Sequence, residues 1–121
     1  MLEIKSLIQD YVSAWNISNS EERIAMMTKV IAENCLYLDS HLPDSIVGRE
    51  LHCQFIGSFR DKFPDLSLRL VSNPDGHHGY FRFNWQMLKS DDSIFTQGSF
   101  FGEINEENLI TKLVGFVNEN Q

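Results

Sequence analysis

The hydrophobic pattern of the chain changes its period once, near Pro64. Before that point apolar residues recur every three or four positions, and after it they alternate. In Leu2–Asn16 the apolar residues Ile4, Leu7, Ile8, Tyr11, Val12, Ala14 and Trp15 fall on one stripe of a helix. Asn16–Ser20 interrupts it. Ser20 is placed to cap a second helix with Glu21 and Glu22 in its first turn. That helix carries Ile24, Met27, Val30 and Ile31 inward and is expected to end near Asn34. Cys35–Asp39 then reads as a short strand with Cys35, Tyr37 and Asp39 on one face. After a polar, turn-rich segment, Gly48 precedes a third helix with Leu51, Phe55, Ile56, Phe59 and Phe63 at spacings of three and four. Pro64 ends it, because the residue before a proline disfavours helical geometry.

Beyond Pro64, Leu66, Leu68 and Leu70 alternate with Ser67 and Arg69, and Asn73–Gly76 carries a strong turn signal. Gly79–Lys89 is the clearest strand, with Phe81, Phe83, Trp85 and Met87 on one face and Tyr80, Arg82, Asn84 and Gln86 on the other. Turns at Ser90–Ser93 and Asn105–Asn108 separate Ile94–Ile104 from Leu109–Val117, which completes an antiparallel meander. Three helices followed by a run of strands predict an α+β class, one domain over residues 1–121, with the helices on one face of a curved sheet.

Composition sharpens this picture at two points. Nine Phe among 121 residues is a large share for a small core. Rings of this size resist close filling, so the excess suits an interior with a hollow in it. The net charge of −7, with ten scattered basic residues, argues against nucleic acid and against anionic membrane surfaces. No apolar run approaches the roughly 18 residues of a membrane span. The amino-terminal MLEIKSLIQD mixes acids with its apolar residues and reads as an amphipathic helix rather than a signal peptide. Cys35 and Cys53, in apolar surroundings without CxxC or Cys/His spacing, read as two buried reduced thiols of a cytoplasmic protein.

The candidate chemistry centres on Asp39, an acid at the end of an apolar strand. Apolar surroundings disfavour the ionised carboxylate and so suit a proton-shuttling base. The competing reading is a strand-end acid that caps the following turn through its side chain. His41, two residues on, can exchange protons with Asp39 or a ligand, or stand as a solvated loop residue. His77 and His78 are assigned to a loop for want of a third ligand at a fitting interval. Arg82 falls opposite Trp85 in strand parity and reads as a surface or interface residue, and Arg23 and Arg49 as structural or exposed. No Ser/His/Asp order, phosphate-cradling glycine loop or zinc motif is present.

Spread over nearly the whole chain are Tyr11 and Trp15, Tyr37-Leu38-Asp39, Gly48-Arg49, Phe63-Pro64-Asp65, Phe83-Asn84-Trp85 and Gly115-Phe116. In this order they resemble the nuclear transport factor 2-like superfamily, in its SnoaL-like polyketide cyclase and ketosteroid isomerase-like branches. The resemblance implies a cystatin-like cone, in which a strongly bent mixed or antiparallel sheet wraps around three amino-terminal helices and leaves a pocket between them. It also implies a homodimer through the outer face of the sheet, where Phe101, Ile110, Val114 and Phe116 stand alongside Tyr80 and Arg82. In the isomerase branch the acid at the place of Asp39 is the general base, and the tyrosine at the place of Tyr11 is an oxyanion donor. The second donor, a protonated acid, is replaced here by Phe100, so that constellation is incomplete. A superfamily that hosts many activities does not settle function by its fold.

The expectation is therefore a pocket for a small apolar molecule, needing no cofactor and no metal. Its lining would be Tyr11, Trp15, Tyr37, Phe55, Phe59, Phe81, Phe83, Trp85 and Phe100. Asp39 would be the polar anchor and acid/base, assisted by Tyr11 or His41, in an isomerase, cyclase or lyase reaction. The alternative is a non-catalytic dimerisation or partner-binding module whose pocket is filled by its own Phe side chains.

Overall fold

The computed structural model describes residues 4–118. The expected start of the first helix at Leu2 lies outside them. Helix α1 runs Ile4–Asn16, α2 Ser20–Val30, strand β1 Ile31–Leu38, β2 Ile46–Val47 and α3 Arg49–Lys62. Strands β3 (Ser67–Leu70), β4 (Asp75–His77), β5 (Tyr80–Leu88), β6 (Ile94–Ile104) and β7 (Ile110–Val117) follow. They form one sheet in the order β2-β1-β7-β6-β5-β3, with β4 also paired to β5. The sheet is mixed, because β1 lies parallel to β7 while the remaining pairs are antiparallel. The three helices pack on its concave side, as the change of period implied.

Several boundaries depart from the sequence pattern for local reasons. Asn19, not Ser20, caps α2, its side-chain oxygen accepting the Glu22 N–H at 2.9 Å. The helix stops at Val30 rather than near Asn34, because the chain turns extended at Ile31 to pair with β7. Ile24 is exposed, and so is Leu51 on α3. Asp75 and Gly76 belong to β4 instead of a turn, and the reversal falls two residues later at His78 and Gly79, both with positive φ. Gly48, at φ 101°, opens α3 in a conformation that only glycine adopts readily.

Glycines on β6 and β7 stand where neighbouring groups approach too closely for a side chain. A Cβ at Gly98 would lie 1.9 Å from the Phe116 carbonyl oxygen and 2.8 Å from Cζ2 of Trp85, its cross-strand partner. The missing side chain lets the backbone close in on β7 and the indole lie flat against β6. Bulges then re-aim single residues. One between Glu103 and Ile104 brings Ile110 opposite Ile104, so Ile110 turns inward and is fully buried. It therefore lies in the core and not on the outer face where strand parity put it. Tyr80, Arg82, Phe101, Val114 and Phe116 do share that outer face, through the pairs Arg82–Phe101 and Phe101–Val114.

Candidate functional site

Helix α3 packs against β1 and β2, and its later turns, with α1 and the inner face of the sheet, enclose a hollow. A cavity of about 520 Å³ opens there, a size typical of small-molecule sites. Its walls are mostly aromatic and aliphatic: Trp15 from α1, Phe55 and Phe59 from α3, Tyr37 from β1, Trp85 and Phe100 from the sheet. Trp15 meets Phe55 and Phe59 edge-on, with ring centroids 5.9 and 5.4 Å apart. Edge-to-face contacts of this kind are favoured by the ring quadrupoles and fix the three rings relative to one another.

Asp39 and His41 lie on the wall of this cavity, at the end of β1. Asp39 is held from two sides. Its Oδ2 accepts the Tyr37 hydroxyl at 2.8 Å, and its Oδ1 accepts the His41 backbone N–H at 2.8 Å. The second bond is a turn-capping one, so the acid both closes its loop and faces the cavity. Each carboxylate oxygen still has a lone pair for another donor. The His41 ring, two residues along, also borders the cavity. Close packing at this point depends on Gly115 of β7, where a Cβ would come within 2.6 Å of Phe100 and 3.2 Å of the Asp39 Cβ.

Three of the expected site residues stand elsewhere. Phe81 and Phe83 are buried in the core with Leu7, Ile8 and Tyr11, and only the Trp85–Met87 end of β5 reaches the cavity. Tyr11 is also fully buried and does not line it. Its hydroxyl lies 3.0 Å from His52 Nε2. His52 is a buried residue of α3 that the sequence pattern passed over, although it precedes Phe55 by three positions and Ile56 by four. Burial pushes its pKa down to about 3, so the ring is neutral in the folded protein. The ring packs against Tyr37, centroids 4.6 Å apart. Burial likewise raises the Tyr11 and Tyr37 hydroxyls well above the usual phenol range, so both stay protonated. A core of Tyr11, His52 and Tyr37 thus stands behind Asp39.

The rim carries residues that parity and periodicity did not assign to a site. Phe95 faces the cavity because a bulge between Met87 and Leu88 leaves it unpaired between Ile94 and Thr96. It meets Phe63, at the end of α3, with centroids 6.4 Å apart, and Lys62 stands beside them. The bulge inserts one residue and so switches the face that follows it, which strict alternation along the sequence does not show.

The remaining candidates are structural or exposed. Arg23 is buried and donates to the Ile17 and Ser18 carbonyls, closing the end of α1. Arg49 donates to Ile31 O at 3.0 Å. Arg82 pairs with Asp75 at 3.1 Å on the surface. His77 ends β4, opposite Tyr80, rather than lying in a loop, its Nδ1 is 2.9 Å from that of His78, and no cluster of three metal-ligating side chains occurs among the described residues. Cys35 and Cys53 are both buried free thiols. No described helix is long and apolar enough to cross a membrane.

No family model matches the chain, and no curated protein does so by sequence. Solved structures do. A protein of the SnoaL-like family from Agrobacterium tumefaciens strain C58, provisionally assigned as an isomerase, superimposes with a TM-score of 0.87 at 30% identity. The match covers 94% of this chain and 96% of that one. The chain belongs to the SnoaL-like family. Two more distant structures share the fold of this SnoaL-like domain. One, from Kribbella flavida DSM 17836 and provisionally assigned as a ketosteroid isomerase, has a TM-score of 0.74 at 17% identity over 97% of this chain and 78% of its own. The other is a nuclear transport factor 2-like protein of unknown function from Exiguobacterium sp. 255-15, with a TM-score of 0.74 at 14% identity over 94% of this chain and 99% of its own. The second of these shows that the SnoaL-like domain shares the fold of a nuclear transport factor 2-like protein.

Proposed function

We propose that this SnoaL-like domain binds a small apolar molecule between α3 and the sheet and moves a proton on it through Asp39, in a cofactor-free isomerase, cyclase or lyase reaction. The observation that carries this reading is a carboxylate on the wall of an otherwise aromatic and aliphatic cavity. A base in such a place meets its substrate with little competing water. Tyr37 orients the carboxylate, and His41, which also borders the cavity, would relay a proton to solvent. The Agrobacterium relative's assignment as an isomerase points the same way. Steroid isomerisation of the usual kind is disfavoured, because Phe100 donates no hydrogen bond and the Tyr11 hydroxyl is engaged by His52. An open cavity reaching Asp39 favours this reading over a dimerisation module with a filled interior.

We also propose a homodimer through the outer face of the sheet. Tyr80, Phe101 and Phe116 are exposed there, with Tyr80 stacked on Phe101 at 5.8 Å. Two buried thiols suit a reducing compartment such as the cytoplasm.

The function is tested by a thermal-shift screen of small apolar compounds against the wild type and Asp39→Asn. A ligand at about a hundred times its Kd stabilises by about 2.7 kcal/mol. Binding by both proteins, with turnover of the bound compound only by the wild type, is the expected result. Equal turnover by both would remove Asp39 as the base, and a panel in which nothing stabilises the wild type would remove the pocket.

A further inference from the structure

The cavity just described has two unlike ends. At one, Asp39 is held by Tyr37, whose ring lies 5.5 Å from Phe55 of α3 and 6.0 Å from Phe100 of β6. At the other, Phe63 and Phe95 meet with their ring centroids 6.4 Å apart, and both are exposed. Lys62, two turns beyond Phe55, lies about 10 Å further along the helix axis. On the sheet, Phe95 and Thr96 likewise precede Phe100 along β6 by more than a turn of that helix. The acid and the open end are therefore set apart, with apolar wall between them.

The open end carries polar groups that the reading above does not use. Ser58 and Lys62, one turn apart on α3, and Thr96 on β6 all border the cavity. Among the described residues the ion pairs are Arg82–Asp75 and Lys112–Glu103, so the Lys62 ammonium has no carboxylate partner. It is the single Lys or Arg on the described wall, and Asp39 is the single acid. A lysine in the last turn of a helix suits the helix dipole wherever the helix sits, but that alone gives it no preference among ligands. A chain of net charge −7 repels anions at large. An unpaired cation beside an aromatic cavity is then the place on that wall where one is attracted.

Deepening the proposed binding function, on which it rests, we propose that Lys62, seconded by Ser58, takes a carboxylate on the ligand and so fixes which end of it faces Asp39. The ligand class is an apolar cyclic acid roughly 10 Å long. Its carboxylate stays at the open end, and its reacting carbon lies against Asp39 at the other. One ammonium matches the single charge of a carboxylate better than the double charge of a phosphate. Held this way round, the ligand keeps its own charge away from the Asp39 carboxylate, where a like charge would oppose binding. The anion also keeps its contact with water, so it does not bear the cost of full burial.

Two compounds of one shape separate the charge from the rings: 2-naphthylacetic acid and 2-naphthylacetamide, titrated calorimetrically into the wild type, Lys62→Met and Lys62→Arg. Lys62 is exposed, so the three proteins should fold alike, and Lys62→Gln replaces the methionine variant if that one does not. The wild type should bind the acid about fivefold more tightly than the amide, the scale of a solvent-exposed ion pair. Added salt should erode that preference. Lys62→Met should bind the two compounds alike with its amide affinity unchanged, and Lys62→Arg should keep the preference for the acid. A preference that survives in Lys62→Met, or its absence from the wild type, would overturn the carboxylate site and leave the pocket standing. A wild type that binds neither compound would overturn both readings together.

Discussion

The Tyr11 hydroxyl and His52 Nε2 meet at 3.0 Å in the centre of the core, from helices 41 residues apart in sequence. Neither ring touches the cavity, yet His52 packs on Tyr37, and Tyr37 holds Asp39. The pair is thus the support of the candidate site rather than part of it. Tyr11→Phe leaves His52 Nε2 buried without its partner and should cost about 1–3 kcal/mol. His52→Leu strands the hydroxyl at a similar cost. The double variant removes both polar groups and should lose less than the sum of the two, by about 1 kcal/mol or more. Urea unfolding of the four proteins measures this, and strictly additive losses would show that the two groups are not coupled.

Stability should fall with acid for a reason lodged in the same residue. His52 titrates near 6.5 when unfolded and at about 3 when folded. Between those values the unfolded chain binds a proton that the folded one refuses, so stability rises with pH across that window. The contribution is fully present above pH 6.5 and is lost as pH falls toward 3, by up to about 1.4 kcal/mol per pH unit. Unfolding free energies measured from pH 7 down to pH 5, above the carboxylate range, should show this slope. In His52→Leu the slope over that interval should be markedly shallower, and an unchanged slope would point to other groups.

Gly98 is irreplaceable on steric grounds. Gly98→Ala puts a methyl group against the Phe116 carbonyl and the Trp85 ring, neither of which can retreat without moving a strand. Overpacking of backbone on backbone should cost about 3 kcal/mol or more. The loss should appear as a lower thermal midpoint and as a shift in tryptophan emission, since Trp85 rests on that glycine.

The outer sheet face predicts an association state. Phe101→Asp places a charge at the middle of the exposed apolar face, next to Arg82 across the strand pair. Sedimentation should find the wild type dimeric and the variant monomeric, with folding intact because Phe101 is already exposed in the subunit. A monomeric wild type at high concentration would remove the dimer.

The change of period at Pro64 separated β3–β7 from the helical half of this chain, and the short alternation through Cys35, Tyr37 and Asp39 marked β1 before it, since burying one face of each element requires one repeat or the other. The same regularity marked Asp39 as an acid at an apolar strand end, and Trp15, Tyr37, Phe55, Phe59 and Trp85 as inward-facing rings, while Phe100 was placed by the family resemblance. What lay beyond it were features that periodicity does not encode. Bulges turned Ile110 inward and Phe95 toward the cavity, by adding single residues whose register is set across strands. The extent of the hollow was decided by how the helices and sheet pack together, with Phe81 and Phe83 in the core and the cavity reached along β5 only from Trp85 onward. His52, polar by composition, became a core residue because Tyr11 arrives from another helix to satisfy one of its nitrogens. Local pattern therefore determined which elements form and which faces they bury. The distances between those faces, and hence where a cavity and its carboxylate stand, arose only when separate stretches of chain packed together.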